Sequence, residues 1–545
     1  MTHGRRRGWT RWGATIAVAA LLSLTLATSS GASESTRARQ QGGGGDLTFA
    51  LEAENTNYCL SRAQLAIAGI QVVAAVYDTL TVPNTKGEAV PYLAESVEPN
   101  ADFTQWTITL REGVTFHNGE ALDANAVKLN LDAYSGAEGA PNVGPLFPEV
   151  LKFISDIAVV DPATVQVTTS VPVYDFPNYL YSTGRFGMMA PEQLNAGEAC
   201  ATTMIGTGPF KLEEYSQNEK TVVVANEDYW QKGFPKADQI TFVPVVEAAT
   251  RVNGLQGGQS DIIHTSSGTA IDTLKGLGSG TAELLEQKPG YREIRYYVLL
   301  SDSAPFDLPE ARQAFATALD RDEINSIVNK SVFTVANGLM DVDAPGYLKQ
   351  AGYPKHNLKK ATDLADQVKE QAGSFNVILG TTTDPENSRE AQLMKEMLDE
   401  AGISSEIAQF DQATLINKAL SGDIDVLLWR NLHGGYSTSS DADNYPWWSN
   451  ADTGNFINFS HFSNDETQSL LDQGRGESEA SAISSTYEDF NKAMAENVYI
   501  VPAWYVDWTI GYSPDVNLNL PKIPGGGGKP LFVYGRIPVL GLSKS

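Results

Sequence analysis

The stretch FNVILGTTTDPENSREAQLMKEMLDEAGISSEIAQ, residues 375–409, indicates the fold class of this chain. Residues 375–380 form a short apolar run typical of a buried strand, and residues 386–400 repeat apolar side chains at the spacing of one helix face. Gly402 is a stop signal for that helix, and residues 404–409 predict a second strand. A strand, a helix and a strand in this order predict a βαβ unit with parallel strands, and therefore an α/β fold.

The same alternation continues on both sides of this unit. Residues 413–420 predict a short helix and residues 424–429 an apolar strand, which would extend the parallel sheet. A further helix is expected to begin at Pro309. Residues 106–110 alternate apolar and threonine side chains, which places three apolar groups on one face of a strand, and Asp123 predicts the N-cap of the helix that follows.

Length and charge set the broad class of protein. A chain of 545 residues is too long for one ordinary core, so more than one domain is expected. The 66 acidic residues outnumber the 39 basic residues, giving a formal net charge of −27. Such a strongly acidic chain is not expected to bind nucleic acid or an anionic membrane surface.

The N-terminal segment has the pattern of an export signal. A basic stretch at residues 5–11 precedes an apolar run at residues 14–27 and small residues at 28–33, which predicts a cleaved signal over residues 1–32. The alternative is a membrane anchor, but about 15 apolar residues fall short of the roughly 20 that a spanning helix needs. Residues 33–45 are rich in Ser, Arg, Gln and Gly and are predicted to be a linker. No cysteine stands at the expected cleavage point after the apolar run, since the first cysteine is Cys59, so a lipid anchor is not expected.

The chain has two cysteines, Cys59 and Cys200. Because export takes the chain to an oxidising compartment, a disulfide between them is predicted in preference to two buried thiols.

Motifs of known enzyme classes are missing from the sequence. No two histidines have the spacing of an HExxH zinc site, no GxSxG elbow occurs, and residues 525–529 lack the Ser or Thr of a phosphate-binding loop. No cofactor and no metal site are therefore expected. The pair Asp441 and Asp443 keeps a secreted hydrolase open as an alternative, since glycoside hydrolysis needs two carboxylates.

Several short blocks follow one another in a characteristic order. They are VYDTL at 76–80, YLAES at 92–96, WTITLREGVTFHNG at 106–119, GTGPF at 206–210, NEDYW at 226–230, and RQA leading to ALDR at 312–321. In this order the chain resembles the family-5 extracellular solute-binding proteins, the group that holds oligopeptide, dipeptide and nickel receptors. The resemblance spans nearly all of the chain after the linker.

The resemblance implies an α/β fold of two lobes joined by a hinge, in the large class of periplasmic binding proteins that has an extra subdomain. The first lobe is expected to be discontinuous, with residues 46–294 and 502–545, and the second lobe to comprise residues 295–501. Closure of the lobes on a ligand would then need only small backbone changes at the two crossings.

The resemblance also implies where the ligand lies. In relatives the cleft is lined by the loop after the first strand, which contributes Asn55, Asn57 and Tyr58, and by a loop of the second lobe over residues 430–448. The ligand-binding side chains expected from the second loop and the return crossing are Arg430, Asn431, His433, Asp441, Asp443, Tyr445, Trp447 and Trp504. Peptide receptors use an aspartate of this loop for the ligand's α-ammonium group. Arg430 departs from that pattern and would hold a carboxylate or pair with an acid of its own lobe.

These observations predict an extracytoplasmic, monomeric substrate-binding protein of an ABC-type importer. It would capture a di- or oligopeptide between its lobes and deliver it to the membrane permease, without enzymatic activity. A receptor of the same fold for another solute, such as a nickel chelate, an opine or a sugar, is the alternative.

Overall fold

The computed structural model describes residues 44–55, 57–432, 439–532 and 535–545. The predicted signal, residues 1–32, and all but the last two residues of the predicted linker lie outside these ranges. No helix in the described ranges is long and apolar enough to cross a membrane.

The strands and helices alternate along most of the chain. The strands are β1 Asp46–Leu51, β2 Thr81–Pro83, β3 Ala89–Pro91, β4 Ala94–Pro99, β5 Gln105–Leu110, β6 Ile154–Asp161, β7 Thr164–Thr169, β8 Phe210–Ser216, β9 Lys220–Ala225, β10 Gln239–Pro244, β11 Ile262–Thr265, β12 Glu283–Glu286, β13 Glu293–Leu299, β14 Thr334–Val335, β15 Asn376–Thr382, β16 Ser404–Phe410, β17 Val426–Leu432, β18 Ile500–Val506, β19 Thr509–Tyr512, β20 Val516–Asn517 and β21 Ser543–Lys544. The helices are α1 Ile67–Val76, α2 Ala124–Ser135, α3 Phe147–Val150, α4 Phe176–Tyr179, α5 Pro191–Leu194, α6 Ala248–Gln256, α7 Gly268–Leu277, α8 Pro309–Ala318, α9 Arg321–Asn329, α10 Leu358–Ala372, α11 Pro385–Glu400, α12 Gln412–Leu420, α13 Ser440–Trp448, α14 Asp465–Gly476 and α15 Ala480–Asn497.

The predicted βαβ unit is present. Strands β15 and β16 are parallel and in register from Asn376 with Ser404 to Thr382 with Phe410, and α11 connects them. Asp384 caps α11 by accepting a hydrogen bond from the backbone N–H of Asn387, which is the local signal that starts this helix. Strand β17 lies parallel to β15 on its other side, as predicted.

Two large mixed sheets organise the chain. The first sheet has the order β12-β19-β11-β1-β10-β9-β8, and the second has the order β14-β18-β13-β17-β15-β16. In the first sheet β1 is central and runs parallel to β10 and β11. In the second, β13 pairs antiparallel with β17 on one side and with β18 on the other.

A third, smaller sheet has the order β4-β5-β7-β6. In β5 the side chains of Trp106, Ile108 and Leu110 are buried on one face, as the alternation with threonine predicts. The following helix, α2, begins at the predicted N-cap, where Asp123 accepts a hydrogen bond from Ala126 N, and it ends at Gly136 in a left-handed conformation.

The chain passes between the two large sheets twice. It leaves the first sheet after β12 and enters the second at Glu293, and it returns between Val506 at the end of β18 and Thr509 at the start of β19. The boundaries expected from sequence, after residues 294 and 501, fall inside β13 and β18. Two adjacent crossings of this kind form the connection expected of a hinge.

The predicted disulfide is present and joins Cys59 to Cys200, two fully buried residues separated by 141 positions. It ties the segment after β1 to the segment that precedes β8. Both cysteines of the sequence are used in this bond.

Two glycines of the GTGPF block permit a close approach between backbones. A Cβ atom built on Gly206 would lie 2.1 Å from the carbonyl oxygen of Val76, which leaves no room for any side chain. His117 lies against the same turn, where its ring Nε2 is 3.0 Å from the carbonyl oxygen of Gly208. Burial lowers the pKa of His117 to about 4, so the ring is a neutral, hydrogen-bonded structural group.

A buried carboxyl group connects several of the sequence blocks. Asp78 accepts hydrogen bonds from Trp230 Nε1 at 2.9 Å, from the Tyr229 hydroxyl at 3.3 Å and from Thr207 Oγ1 at 3.4 Å. Burial raises the pKa of Asp78 to about 7, although these hydrogen bonds act in the opposite direction. The VYDTL, GTGPF and NEDYW blocks therefore meet around one carboxyl group of the core.

This carboxyl group predicts a pH-dependent stability. A carboxyl whose pKa rises on folding stabilises the fold while it is protonated, and that contribution is lost as the pH rises from about 4 to about 7. We expect the free energy of unfolding to be roughly 2–3 kcal/mol lower at pH 8 than at pH 5 on account of this group. Urea unfolding at both pH values would measure the difference. Asp78→Asn should remove most of it, whereas Asp228→Asn, which changes a surface carboxylate of the same block, should not.

Candidate ligand-binding site

The carboxyl ends of strands from the two large sheets face each other. Arg430, near the end of β17, donates a hydrogen bond from Nη2 to Oε1 of Glu52, which directly follows β1, at 2.7 Å. It also donates from Nη1 to the hydroxyl of Ser266, which follows β11. Ligands of open α/β sheets bind beyond the carboxyl ends of the strands, so this contact marks the position of the candidate site.

Arg430 is surrounded by interaction partners. Its Nε lies 3.9 Å from a carboxylate oxygen of Glu293, and its guanidinium group stacks 5.0 Å from the ring centroid of Trp508. Burial would lower the pKa of Arg430, but Glu52 and Glu293 outweigh it and raise the pKa above its ordinary value. Arg430 therefore pairs with an acid, but its closest acid is Glu52 of the opposite sheet and not an acid of its own lobe, which was one of the two expectations.

Glu52 is the counterpart of Arg430 in the first sheet. Its backbone N–H donates to His264 Nε2 at 2.8 Å, and its carboxylate lies 4.0 Å from Arg251. Burial acts to raise the pKa of Glu52, but Arg430, His264 and Arg251 together hold it below its ordinary value. The carboxylate is thus ionised and fixed between two guanidinium groups.

A second polar contact joins the two sheets beside the first. The hydroxyl of Ser267, which caps the N-terminus of α7, donates to the carboxylate of Glu386 in the first turn of α11. Burial raises the pKa of Glu386 above its ordinary value, although the hydrogen bond from Ser267 opposes the rise. The N-terminal ends of two helices thus meet at the candidate site, and polar groups from both sheets line it.

The loop after β1 holds the three residues expected there. Asn57 Oδ1 accepts from the backbone N–H of Cys59 at 2.9 Å, and Asn55 Nδ2 donates to the Asn57 carbonyl oxygen at 2.8 Å. Tyr58 is buried, with its hydroxyl 3.3 Å from Thr221 Oγ1. Asn55 and Tyr58 line a small recess next to the end of β1, together with Leu51, Ala53, Glu54, Ala68, Gly69, Val72, Lys220, Thr221, Phe242 and Pro244.

The second loop is shorter than the sequence predicts, because a helix occupies its latter half. Helix α13 begins after Ser439, whose hydroxyl accepts from the Ala442 N–H at 3.2 Å. Asp441 and Asp443 lie in its first turn, where carboxylates favour the helix dipole. A capping serine followed by acidic residues is a helix-start signal, which Pro446 obscures in the sequence. The backbone of Asn431 lies in β17, and His433 lies outside the described residues.

Asp441 is part of a buried cluster. It accepts a hydrogen bond from the Tyr179 hydroxyl at 2.7 Å and one from the Tyr487 hydroxyl at 3.4 Å, and it forms an ion pair with Arg475 at 3.4 Å. Burial alone would lower the pKa of Arg475, but Asp441 and Tyr179 raise it above its ordinary value. Asp175 lies next to this cluster. Its pKa rises to about 7 because of burial, with a smaller contribution from Asp441 and despite hydrogen bonds.

The expected aromatic residues are largely buried. The Tyr445 ring lies 3.2 Å from the Arg475 guanidinium carbon, and its hydroxyl donates to Asp472 Oδ1 at 2.8 Å. Burial raises the pKa of Tyr445 to about 12. Trp447 is 6% exposed, and its Nε1 has no hydrogen-bond partner within the described ranges. Trp504, in β18, is buried in the second-sheet core.

The predicted residues thus form two groups. Asn55, Asn57 and Tyr58 lie close to Glu52 in sequence, and Arg430 contacts Glu52 directly. Asp441 and Tyr445 instead surround Arg475, and Asp443 is fully buried in the first turn of α13. Reasoning from sequence missed the polar residues Glu52, Ser266, Ser267, Glu293, Glu386, Arg475 and Trp508. Glu52, Ser266 and Ser267 follow β1 and β11 directly, so the strand-end rule was the signal that could have found them.

The described residues contain no group of three or more His, Cys, Asp or Glu side chains that could hold a metal ion.

Two mixed sheets that are joined by two adjacent crossings, with the carboxyl ends of their strands facing each other, define the class of two-lobed binding proteins. Solved structures support this assignment. The binding protein AgaA of A. tumefaciens R10, in complex with agropinic acid, is 25% identical with a TM-score of 0.79 and covers 92% of this chain and 99% of its own. The periplasmic binding protein DppA of Helicobacter pylori, in complex with the peptide STSA, also has a TM-score of 0.79, at 19% identity and the same coverage.

Residues 88–456 match the family described as bacterial extracellular solute-binding proteins, family 5, and this chain belongs to that family. Among curated proteins, the glutathione-binding protein GsiB of Salmonella paratyphi A is 28% identical over 340 residues, and that of Escherichia coli K12 is 27% identical. The match covers 57% of this chain and 64% of the length of these relatives.

Proposed function

We propose that this chain is the substrate-binding protein of an ABC-type importer. It binds one small solute between its two lobes outside the cytoplasm and delivers it to a permease in the membrane. The observation that carries this proposal is the contact of Arg430 with Glu52 and Ser266, because it brings the carboxyl ends of β17, β1 and β11 together across the two sheets. A solute that enters between these ends meets ionised and hydroxyl groups from both lobes.

Short peptides are the proposed ligand class. Curated relatives are named for glutathione, and solved relatives hold the peptide STSA or the dipeptide Met-Leu. A peptide that binds in an extended form is held through its backbone, irrespective of its side chains. The alternating acids and guanidinium groups around Glu52 and Arg430 suit a ligand that carries both an ammonium group and a carboxylate.

An amino-acid conjugate with extra carboxylates is the second candidate. AgaA, at 25% identity, was solved with agropinic acid, and Arg430 places a guanidinium group at the candidate site of this chain. A ligand carboxylate that replaces Glu52 as the partner of Arg430 would keep the same charge balance.

The proposed protein is a receptor without catalytic turnover. The carboxylate of Asp441 is occupied by Arg475 and two tyrosine hydroxyls, and Asp443 is fully buried. These contacts support structural roles for the two acids that a hydrolase would use. Export directed by residues 1–32 is part of the same proposal.

Isothermal titration of the purified chain against glutathione, a mixture of di- and tripeptides, and agropinic acid tests the proposed function. We expect one ligand bound per chain, recovered unchanged, and detection of the same complex by native mass spectrometry. Arg430→Met should weaken binding at least tenfold, whereas Arg389→Met, a surface arginine of α11, should not. Absence of binding to all three probes, or recovery of cleaved peptide, would refute the proposal.

A further inference from the structure

A second contact between the two sides of the molecule lies around Arg475. Helix α4 belongs to the chain before the first crossing, and α13 and α14 belong to the chain between the crossings. The Tyr179 hydroxyl of α4 donates to Asp441 Oδ2 at 2.7 Å and accepts from Arg475 Nη2 at 2.8 Å. One hydroxyl group thus bridges a carboxylate and a guanidinium group that both belong to the other side.

Further bonds surround this bridge. The backbone N–H of Tyr174 donates to the Arg475 carbonyl oxygen at 3.1 Å, and Lys152 Nζ donates to the Thr453 carbonyl oxygen at 3.0 Å. The Arg475 guanidinium carbon lies 5.1 Å from the ring centroid of Phe153. The contact is therefore an interface of its own, formed by residues 152–179 on one side and 441–475 on the other.

The two sides of this interface are held together without covalent bonds. The backbone connects the two sides only through the two crossings, at residues 287–292 and 507–508. Neither crossing is part of α4 or α13. Opening of the two sides along this interface would separate Tyr179 from Asp441 and Arg475. Water would then reach the Asp441–Arg475 pair, whose two side chains are at most 7% exposed here.

We infer that Tyr179, Asp441 and Arg475 form a latch that holds the two lobes closed and that sets ligand affinity without touching the ligand. The inference rests on the proposed receptor function, since only a receptor that opens and closes needs such a contact. The affinity that a receptor shows is its intrinsic affinity multiplied by the population of its binding-competent state. A latch that favours closure thus adds affinity from a distance. In this inference Asp441 belongs to the closing contact, although the sequence places it among the ligand-binding residues.

Tyr179→Phe is the test variant, because it removes the bridging hydroxyl and keeps the ring, which packs 4.8 Å from the Phe153 centroid. Tyr134→Phe is the matched control, since that buried hydroxyl donates at 2.6 Å to the Gly187 carbonyl oxygen on the same side of the crossings. Nitroxide labels on Val160→Cys and Lys359→Cys report the separation of the two sides. Both sites are well exposed, and the native cysteines are occupied by the disulfide.

Pulsed dipolar spectroscopy of the doubly labelled chain, with no ligand added, gives the populations of closed and open forms. We expect Tyr179→Phe to raise the ratio of open to closed chains roughly 10- to 150-fold, the effect of losing one buried hydrogen bond to a charged group. Tyr134→Phe should leave the ratio of the parent unchanged. Two results would contradict the latch: an equal ratio of open to closed chains in the parent, the control and Tyr179→Phe, or a parent that is fully open.

Binding measurements on the same variants test the latch and the receptor function independently of each other. With glutathione as the probe, or whichever peptide the titration identifies, Tyr179→Phe should bind more weakly than Tyr134→Phe. If no probe binds the parent, the receptor proposal fails while the distance measurement still decides whether the latch exists. If the parent binds but the label distances do not respond to Tyr179→Phe, only the latch fails.

Discussion

Replacement of Asp441 by asparagine is expected to lower the free energy of unfolding by about 3–5 kcal/mol. Asp441 is the carboxylate that pairs with Arg475, and their side chains are 4% and 7% exposed. Asparagine keeps the shape of the side chain but removes its charge, so the Arg475 guanidinium would stay buried among neutral acceptors and aromatic faces, without an anionic partner. Chemical denaturation followed by circular dichroism measures the change.

Two further variants separate the buried pair from charge effects in general. Asp489→Asn removes the partner of Lys492 on the surface of α15, and it should leave the unfolding midpoint unchanged. The double variant Asp441→Asn with Arg475→Met should recover much of the lost stability, since it leaves no unpaired charge in the interface. An Asp441→Asn chain as stable as the parent would show that the pair is not buried in solution.

Removal of the disulfide is expected to be the second large effect. The bond between Cys59 and Cys200 closes a loop with a sequence separation of 141 residues. Both cysteines are buried in the hydrophobic core, in the part of the chain that precedes the first crossing. Loss of a native disulfide of this kind costs about 2–5 kcal/mol, because the unfolded chain gains the freedom that the cross-link removed. The double variant Cys59→Ala with Cys200→Ala should therefore unfold at a clearly lower temperature than the parent in a calorimetric scan.

Thiol counting provides the control for that comparison. The parent, unfolded in denaturant without reductant, should react with no thiol reagent, and after reduction it should show two thiols per chain. The parent in reductant should then melt near the temperature of the double variant. Two free thiols in the unreduced parent, or equal melting temperatures of parent and variant, would contradict a stabilising disulfide.

Features that depend on neighbouring residues were predictable from sequence. The strands and helix of residues 375–409 follow from apolar spacing, and Asp123 and Asp384 each cap the helix that begins at the next residue. The threonine alternation in β5 predicts which face is buried. Each of these depends on contacts within a few positions, where periodicity and hydrogen-bonding capacity leave one favourable arrangement.

Pairings between distant charges were not predictable from sequence. Arg430 and Glu52 are 378 positions apart, and Arg475 is one of 39 basic residues that could have neutralised any of 66 acids. Which pairs form depends on how the two sheets are placed against each other. The spacing of residues along the sequence does not indicate that placement. The same limit applies to Asp441, which the sequence places among the ligand-binding residues and which accepts a hydrogen bond from Tyr179 of α4 in the structure.

Ligand contact and lobe closure are assigned to two separate groups of residues. The ends of β1, β11 and β17 provide the polar groups that a solute would meet, while Tyr179, Asp441 and Arg475 provide a closing contact elsewhere on the same pair of lobes. Binding energy at one place and closure at another are coupled because both depend on the same movement of the lobes. Ligand affinity in this chain is therefore expected to respond to variants at both places.

Hydrogen–deuterium exchange with and without bound ligand shows whether the ligand lies between the two lobes. A saturating peptide, identified by titration, is expected to slow amide exchange in residues 51–58 from the end of β1, in residues 265–268 from the end of β11 and in residues 428–432 of β17, all at once. Strand β6, on the outer edge of the third sheet, should exchange at the same rate in both samples. Saturated binding that leaves the segments after β1 and in β17 unprotected, or that protects only a surface elsewhere, would contradict a ligand site between the two lobes.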